Sequence, residues 1–392
     1  MKILVICQYY APEPFRHNDI CEELVKRGHD VTVVTGLPNY PMGEIYDGYR
    51  NGQKRNEIIN GVRIHRCFTV GRKKGIIYRF INYYSYVFSS TRYVSKIKEH
   101  YDAVFVNQLS PVMMASAAMR YKKRHGTPVV LYCLDLWPES LVTGGIDQNS
   151  IIYRFFHRVS KKIYKQADKI LITSRSFSDY FRKEFGILET EYLPQYAEAI
   201  FMPEQCEKKS NGYIDLMFAG NIGAAQSVDT IIKAAQLTSD IEELRWHIVG
   251  DGTELENIKT MAMGMKNVIF YGRKPLNEMP KYYAMADAML VTMQKDPVLS
   301  FTLPGKVQTY MAAGKPILGA IDGETPLIVA DAKCGISSEA GSAEALVKCV
   351  RRFIEMDRKQ LGQNARTYYD QHFEKQTFID RLEKILDYQK EK

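Results

Sequence analysis

The chain has 392 residues, 45% of them hydrophobic and 25% charged, which fits a globular protein with room for two or three domains and excludes a low-complexity or disordered one. Lys and Arg outnumber Asp and Glu by 53 to 45, an excess that favours anionic partners without choosing among nucleotide, membrane surface and nucleic acid. The cysteines at 7, 21, 67, 133, 206, 334 and 349 are scattered singly and form no Cys-x-x-Cys pair, so a reducing compartment is expected rather than a disulfide framework or zinc ribbon.

The opening run Lys2–Ile6 is apolar, but the chain is polar and proline-bearing by Pro12. That is too short for a signal-peptide core or a membrane span and predicts a buried strand; no run of spanning length follows elsewhere. A loop over Tyr9–His17 leads to a helix expected to start at a cap on Asn18, with Ile20, Leu24 and Val25 on one face and Gly28 ending it. Val31–Thr35 is the next strand, so the chain opens as a βαβ unit whose parallel strands need the helix as a crossover. The alternation continues through strand Ala103–Asn107, helix Pro111–Arg124, strand Pro128–Cys133, a helix over about residues 150–165 and strand Lys169–Thr173. The polar, turn-prone stretch Cys206–Gly212 reads as a linker. A second alternating set follows: Ile214–Ala219, helix Val228–Leu237, Leu244–Val249, helix Glu254–Met263, Val268–Tyr271, Asp287–Met293 and Pro316–Ala320. Phe378, Leu382, Ile385 and Leu386 stand at helical spacing in Lys375–Gln389, a docking helix. The expectation is an α/β chain of two Rossmann-like domains with parallel sheets, residues 1–203 and 212–371, closed by a helix over 372–392.

In open α/β sheets ligands gather at the carboxyl ends of strands, so the residues that follow each apolar run carry the functional information. Gly220-Asn221-Ile222-Gly223-Ala224-Ala225-Gln226 and Gly250-Asp251-Gly252 combine small residues with strand-to-helix corners. Such loops can offer backbone N–H groups to a phosphate, although a tight βα turn has the same sequence. Arg273 and Lys274 follow the next strand, where they could meet a phosphate or base edge or simply be solvated. Lys306 stands near a helix start in Leu303–Leu318, placed to neutralise a departing diphosphate, or to be an ordinary helix-start lysine. In the first half, Asp135, Trp137 and Glu139 end a strand, and Asp135 could accept a proton from an acceptor hydroxyl or cap a helix. Glu13, Arg16 and His17 gather after the first strand. The segment 63–101 interleaves Arg72, Lys73, Lys74, Arg79, Arg92, Lys96 and Lys98 with Ile, Tyr and Phe. A helix of that pattern suits an anionic membrane surface, single-stranded nucleic acid, or a core helix with a basic outer face.

These residues resemble those of family 4 glycosyltransferases, which have the GT-B architecture of two facing Rossmann-like domains. The carriers are Gln8–Asp19, Gly36-Leu37-Pro38-Asn39-Tyr40-Pro41, Asp135-Leu136-Trp137-Pro138-Glu139, Gly220-Asn221-Ile222-Gly223 and Lys306–Pro316. The likeness spans the whole chain in element order, and its branch is similar to bacterial O-antigen and capsule enzymes that include N-acetyl-L-fucosamine transferases. The resemblance implies a retaining, metal-independent transfer from a nucleoside-diphosphate sugar, UDP-linked and with UDP-N-acetyl-L-fucosamine as one candidate, with no other cofactor. It implies a polyprenyl-diphosphate-linked saccharide as acceptor, no nucleic-acid partner, and a cytoplasmic enzyme peripheral to the membrane through segment 63–101. The carboxyl-terminal domain would hold the donor through Gly220, Asn221, Gly223, Gln226, Gly250, Arg273, Phe301, Thr302, Gly305, Lys306 and Thr309. Arg16, His17, Asn39, Trp137 and Glu139 would face the acceptor, with Asp135, Lys306 and Glu13 catalytic, and the closing helix would return to the first domain. The chain departs from the pattern where relatives carry a Glu-x7-Glu pair, since Phe301 and Thr309 occupy those positions, and where they carry Arg and Lys, since Asn221 and Gln226 do so here. At the fourth strand's end relatives often have His, and this chain has Leu134 followed by Asp135. Two other readings share the architecture: a UDP-sugar 2-epimerase, and a non-catalytic nucleotide- or membrane-binding relative.

Overall fold

The computed structural model describes every residue except Lys74 and Lys392. The chain divides into two compact units, residues 1–193 with 379–392, and residues 194–378. The expected linker Cys206–Gly212 lies inside the second unit.

The first unit runs β1 (Lys2–Ile6), α1 (Arg16–Lys26), β2 (Asp30–Thr35), β3 (Asn56–Ile59), β4 (Val62–Arg66), α2 (Ile76–Val94), β5 (Ala103–Gln108), α3 (Ser116–His125), β6 (Val129–Cys133), α4 (Glu139–Val142), α5 (Ile151–Tyr164), β7 (Lys169–Ile172), α6 (Ser176–Tyr180) and β8 (Glu191–Tyr192). Its eight strands lie in the order β3-β4-β2-β1-β5-β6-β7-β8, parallel throughout except for the β3–β4 hairpin. Val5 of β1 pairs with Val33 on one side and Phe105 on the other, so chain order reverses at the carboxyl end of β1, where doubly wound sheets open a crevice. Strands β1, β2, β5 and β6 are apolar and almost wholly buried, as a sheet covered on both faces requires.

Two expectations are corrected here. Helix α1 begins at Arg16 after Phe15, which offers no side-chain cap; Asn18 instead donates through Nδ2 to the Glu13 carbonyl at 2.7 Å. Segment 63–101 is only partly helical: residues 63–66 complete β4, whose Arg66 is wholly buried and paired with Glu57 of β3 at 2.7 Å. A buried ion pair across a hairpin hides strand character behind a charged sequence.

The second unit runs α7 (Pro203–Cys206), β9 (Ile214–Asn221), α8 (Val228–Leu237), β10 (Leu244–Asp251), α9 (Leu255–Met261), β11 (Val268–Gly272), α10 (Met279–Tyr283), β12 (Ala288–Thr292), α11 (Gly305–Ala312), β13 (Ile317–Ala320), α12 (Glu324–Asp331), β14 (Gly335–Ser338), α13 (Ala343–Ile354) and α14 (Arg358–His372). Its six parallel strands follow the order β11-β10-β9-β12-β13-β14, which puts the reversal at the carboxyl end of β9, at Gly220. One core forms on each face: Trp246, Phe218 and Ile231 belong to one, and Met217, Tyr310 and Val291 to the other. Helix α15 (Lys375–Glu391) closes the chain, and its residues from Ile379 onward belong to the first unit. There Glu383 accepts from Arg27 and His29, both at 2.7 Å.

Candidate active site

In the second unit the glycine loops are shaped by close backbone packing. Gly220 and Gly250 stand opposite each other in register, with φ of +146° and +148°. A Cβ on Gly250 would lie 1.8 Å from the Gly220 carbonyl oxygen, and one on Gly252 2.3 Å from the Ile222 oxygen. Only glycine fits either position. The Gln226 side chain folds back over the loop, its Oε1 accepting from Asn221 Nδ2 at 2.9 Å and from Gly223 N–H at 3.2 Å. Thr292, at the end of β12, pins the Gln226 carbonyl at 2.6 Å. The residues that stand where relatives carry cations therefore bond to each other and rigidify the turn.

Helix α11 starts at Gly305 with no side-chain cap, leaving its first amides open to an anion. Lys306 lies in this first turn, and its Nζ would be 3.1 Å from a Cβ on Gly220. The same nitrogen sits 3.9 Å from the centre of the Phe218 ring. It is buried and has no hydrogen-bond partner among the described residues, and burial pulls its pKa down to about 7. Such an ammonium has lost its water and gained a ring face, with no carboxylate paired to it among the described residues, an environment that an anion would stabilise. Tyr310, one turn on, both accepts from and donates to the Ala219 backbone at 3.3 and 3.0 Å, which fixes α11 against the strand end that carries Gly220.

Phe301 and Thr302 lie at the end of a short 3-10 turn just before α11. Thr309 is buried and donates its hydroxyl to the Gly305 carbonyl at 3.2 Å, so neither Glu-x7-Glu position supplies a carboxylate. Arg273 follows β11 and is exposed.

In the first unit most of the expected acceptor-side groups are held by hydrogen bonds and packing within the fold. Glu13 is 1% exposed; its oxygens accept from the backbone N–H groups of Tyr10, Asn39 and Tyr40 at 3.2, 2.8 and 2.6 Å. Burial outweighs those bonds and raises its pKa to about 7. It clamps the loop after β1 to the loop after β2. His17 is buried between the Tyr9 carbonyl at 2.5 Å and Asn107 at 2.9 Å, and desolvation lowers its pKa to about 4. Asn39 is wholly buried and orders the neighbouring backbone. Trp137 packs edge-on against Phe156 at 5.8 Å. Glu139 accepts from Tyr153, Tyr180 and Gln148 at 2.5, 2.9 and 3.0 Å, which makes it a brace between α4, α5 and α6. Arg16 is half-buried in the first turn of α1. Asp135, half-buried at the end of β6, accepts from Ser110 N–H at 3.1 Å, and burial raises its pKa.

Within segment 63–101, α2 exposes Ile77, Ile81, Tyr84 and Phe88 along one stripe, Ile77 at 70% and Phe88 at 74%, with Arg79 and Arg92 also exposed. Helix α5 opens with exposed Ile151, Ile152 and Phe155 next to exposed Arg154 and Arg158. Phe80 and Phe156 bring the two helices together, ring centres 6.2 Å apart. This inverts the usual helix pattern, because the solvent side of α2 is apolar. Lys74 lies outside the described residues. Among the described residues no helix is long and apolar enough to cross a membrane.

Residues 16–193 match the glycosyl transferase 4-like domain family, and residues 204–368 match the glycosyl transferases group 1 family. The chain is 26% identical over 290 residues to the probable glycosyltransferase WbjE of Pseudomonas aeruginosa, covering 69% of this chain and 70% of that one. It is 24% identical over 408 residues to the putative colanic acid biosynthesis glycosyl transferase WcaI of Escherichia coli K12, covering 97% and 98%. Among solved structures it is similar to HepE of Anabaena in complex with UDP and glucose, with a TM-score of 0.70, 15% identity and 99% coverage of both chains.

Proposed function

From the premise that this chain is a glycosyltransferase of the GT-B fold, with a 4-like domain followed by a group 1 domain, we propose that it transfers a sugar, with retention, from a UDP-linked donor to a lipid-linked saccharide in bacterial surface-polysaccharide assembly. The observation that carries this reading is the buried, unpaired Lys306 ammonium above Gly220, at the reversal point of the second sheet. Charge builds on a diphosphate as its bond to the sugar breaks, and a preplaced cation with open helix amides is most useful there. Lys306 and the α11 amides draw off that charge, so the reaction needs no metal. UDP as the nucleotude carrier is supported by the UDP bound in HepE, and surface polysaccharide as the destination by the colanic acid role in WcaI's name. UDP-N-acetyl-L-fucosamine is one donor to test among several.

On the first unit Asp135 contacts the acceptor; burial raises its pKa, which favours exchange of a proton with a hydroxyl. The apolar stripe of α2, flanked by Arg79 and Arg92 and continued by the start of α5, suits the anionic inner face of the cytoplasmic membrane, where a polyprenyl carrier presents its head group. Seven buried free thiols suit the reducing cytoplasm. The test is release of UDP from a panel of UDP-sugars with and without a polyprenyl-diphosphate-linked saccharide. Acceptor-dependent release supports transfer; release of a free epimerised UDP-sugar without acceptor, or no turnover with any donor, overturns it.

A further inference from the structure

Arg72 belongs in sequence to the basic segment but not to its exposed face. It is half-buried, and its guanidinium lies over the Tyr83 ring, 5.6 Å from the centre. Arg63 and Arg66 each pair with a carboxylate; among the described residues Arg72 has none. Its backbone is held: N–H donates to Asn39 Oδ1 at 3.1 Å, and Asn39 in turn accepts from Asn82 at 3.3 Å. A Cβ on Gly43 would lie 2.6 Å from the Arg72 carbonyl oxygen, and one on Gly71 2.6 Å from the Gly43 oxygen, so the loops that carry residues 40 and 72 touch backbone to backbone.

Tyr40 sits on the partner loop. Glu13 fixes its N–H and the Tyr46 hydroxyl its carbonyl, both at 2.6 Å, yet its side chain is exposed, at 40% for the residue. Its ring meets Phe15 at 5.3 Å and Tyr9 at 5.9 Å, and Tyr9 stacks on Phe15 at 5.3 Å with 14° between planes. Tyr9 is buried, with a hydroxyl that lacks a well-aligned partner, and Arg72 is the cation beside it. A rigid aromatic shelf thus adjoins a guanidinium without a carboxylate, and both stand at the carboxyl ends of β1 and β2.

We propose that Tyr40, Phe15 and Arg72 form a subsite for a sugar that bears an anionic group: the apolar face of a pyranose lies on the Tyr40 and Phe15 rings while its phosphate or carboxylate takes the guanidinium. With one N–H turned to the Tyr9 hydroxyl, the stacked guanidinium still has donors for either anion, and a ring held on a fixed backbone loses little freedom on binding. This rests on the acceptor side of the function proposed above and narrows it to an acceptor with charge next to the sugar.

The test measures affinities by ligand-observed NMR on the full chain with glucose 1-phosphate, glucuronate and methyl glucoside, in wild type, Arg72→Gln, Tyr40→Ala and Lys306→Met. Tighter binding of the phosphate identifies a sugar phosphate as the ligand, and tighter binding of the glucuronate an acidic sugar. In either case Arg72→Gln lowers that preference about tenfold, the effect of losing one charged hydrogen-bond partner, Tyr40→Ala weakens all three probes, and Lys306→Met leaves the preference intact. Equal binding of the three probes, no binding of any, or a preference that survives Arg72→Gln or disappears with Lys306→Met overturns the subsite. Thermal stabilisation of each variant by UDP is followed in parallel: it checks the fold of Arg72→Gln and Tyr40→Ala, and its absence in wild type counts against the donor reading alone.

Discussion

Lys306 offers a measurement in which the site reports on its own ligand. Without an anion its ammonium has lost water and gained only a ring face, so its pKa falls from 10.5 to about 7. A diphosphate arriving beside it supplies the missing charge and restores protonation. Binding must then be accompanied by proton uptake. With a free pKa near 7 and a bound value well above it, the uptake is about 0.1 proton at pH 6 and about 0.9 at pH 8. Titration calorimetry of UDP at pH 8, repeated in buffers of different ionisation enthalpy, reads this number directly; the terminal phosphate of UDP is already ionised there and adds nothing. Lys306→Met should abolish the uptake and weaken UDP binding. The same variant, free of ligand, should melt higher than wild type, because an unpaired buried charge has been replaced by an apolar chain of similar length. Stability of the ligand-free wild type should rise with pH above about 7, since the unfolded lysine holds its proton to higher pH than the folded one. If UDP binds at pH 8 without proton uptake, or the uptake survives Lys306→Met, the assignment of this lysine to the phosphate is refuted.

Gly250→Ala would force a Cβ against the Gly220 carbonyl oxygen at 1.8 Å; a loss of more than about 2 kcal/mol in urea unfolding is expected, together with loss of UDP binding. Asp215 is buried and accepts from His247 and Lys208, both at 2.8 Å; burial opposes its ionisation, but these partners prevail and hold its pKa far below the usual carboxylate value. Asp215→Asn should therefore cost about 3–5 kcal/mol at neutral pH. That stabilisation is complete above the unfolded pKa and is lost as pH falls towards the depressed folded one, so the gap between variant and wild type in urea midpoints should narrow on acidification. Replacing Ile77, Phe88 and Arg79 by Ser should reduce co-sedimentation with vesicles rich in anionic lipid while UDP binding stays unchanged; undiminished co-sedimentation would remove α2 from the membrane proposal.

Much of the fold was legible because its strands are long apolar runs between turn residues. β1, β2, β5, β9, β10 and β12 were read to within a few residues, and so was α8. The β3–β4 hairpin was not: Asn56–Ile59 is half-exposed and Val62–Arg66 carries two arginines and a histidine, so no apolar run marks it. The elements α13 and α14 do carry a signal in the sequence: Ser342 and Asp357 cap them, accepting from the Ala345 and Gln360 N–H groups. Lys306 could be singled out by its place after a loop at a helix start. Arg72 could not, since by composition it is one more cation among the nine of segment 63–101, and only the packing of two glycine-bearing loops separates it from the others.

The two crevices differ in how completely their polar groups are satisfied, and that difference carries more functional information than residue type. After β1, where the sequence offers Glu13 as a catalytic candidate and His17 as an acceptor contact, each is already held: the carboxylate by three amides, the imidazole by a carbonyl and an amide. Glu139 is held by two phenols and a carboxamide. A group saturated by its own fold has little left to give a substrate, and its removal should act on stability. A buried polar group that the fold leaves without its natural partner is costly, and it persists where something outside the chain completes it. Lys306 meets that description in the second unit; in the first, the half-buried guanidinium of Arg72, stacked on Tyr83 and beside the Tyr9 hydroxyl but without a carboxylate among the described residues, comes nearest to it. On the function proposed above, the chemistry would fall to these two cations, one for the departing diphosphate and one for the charge on the arriving saccharide.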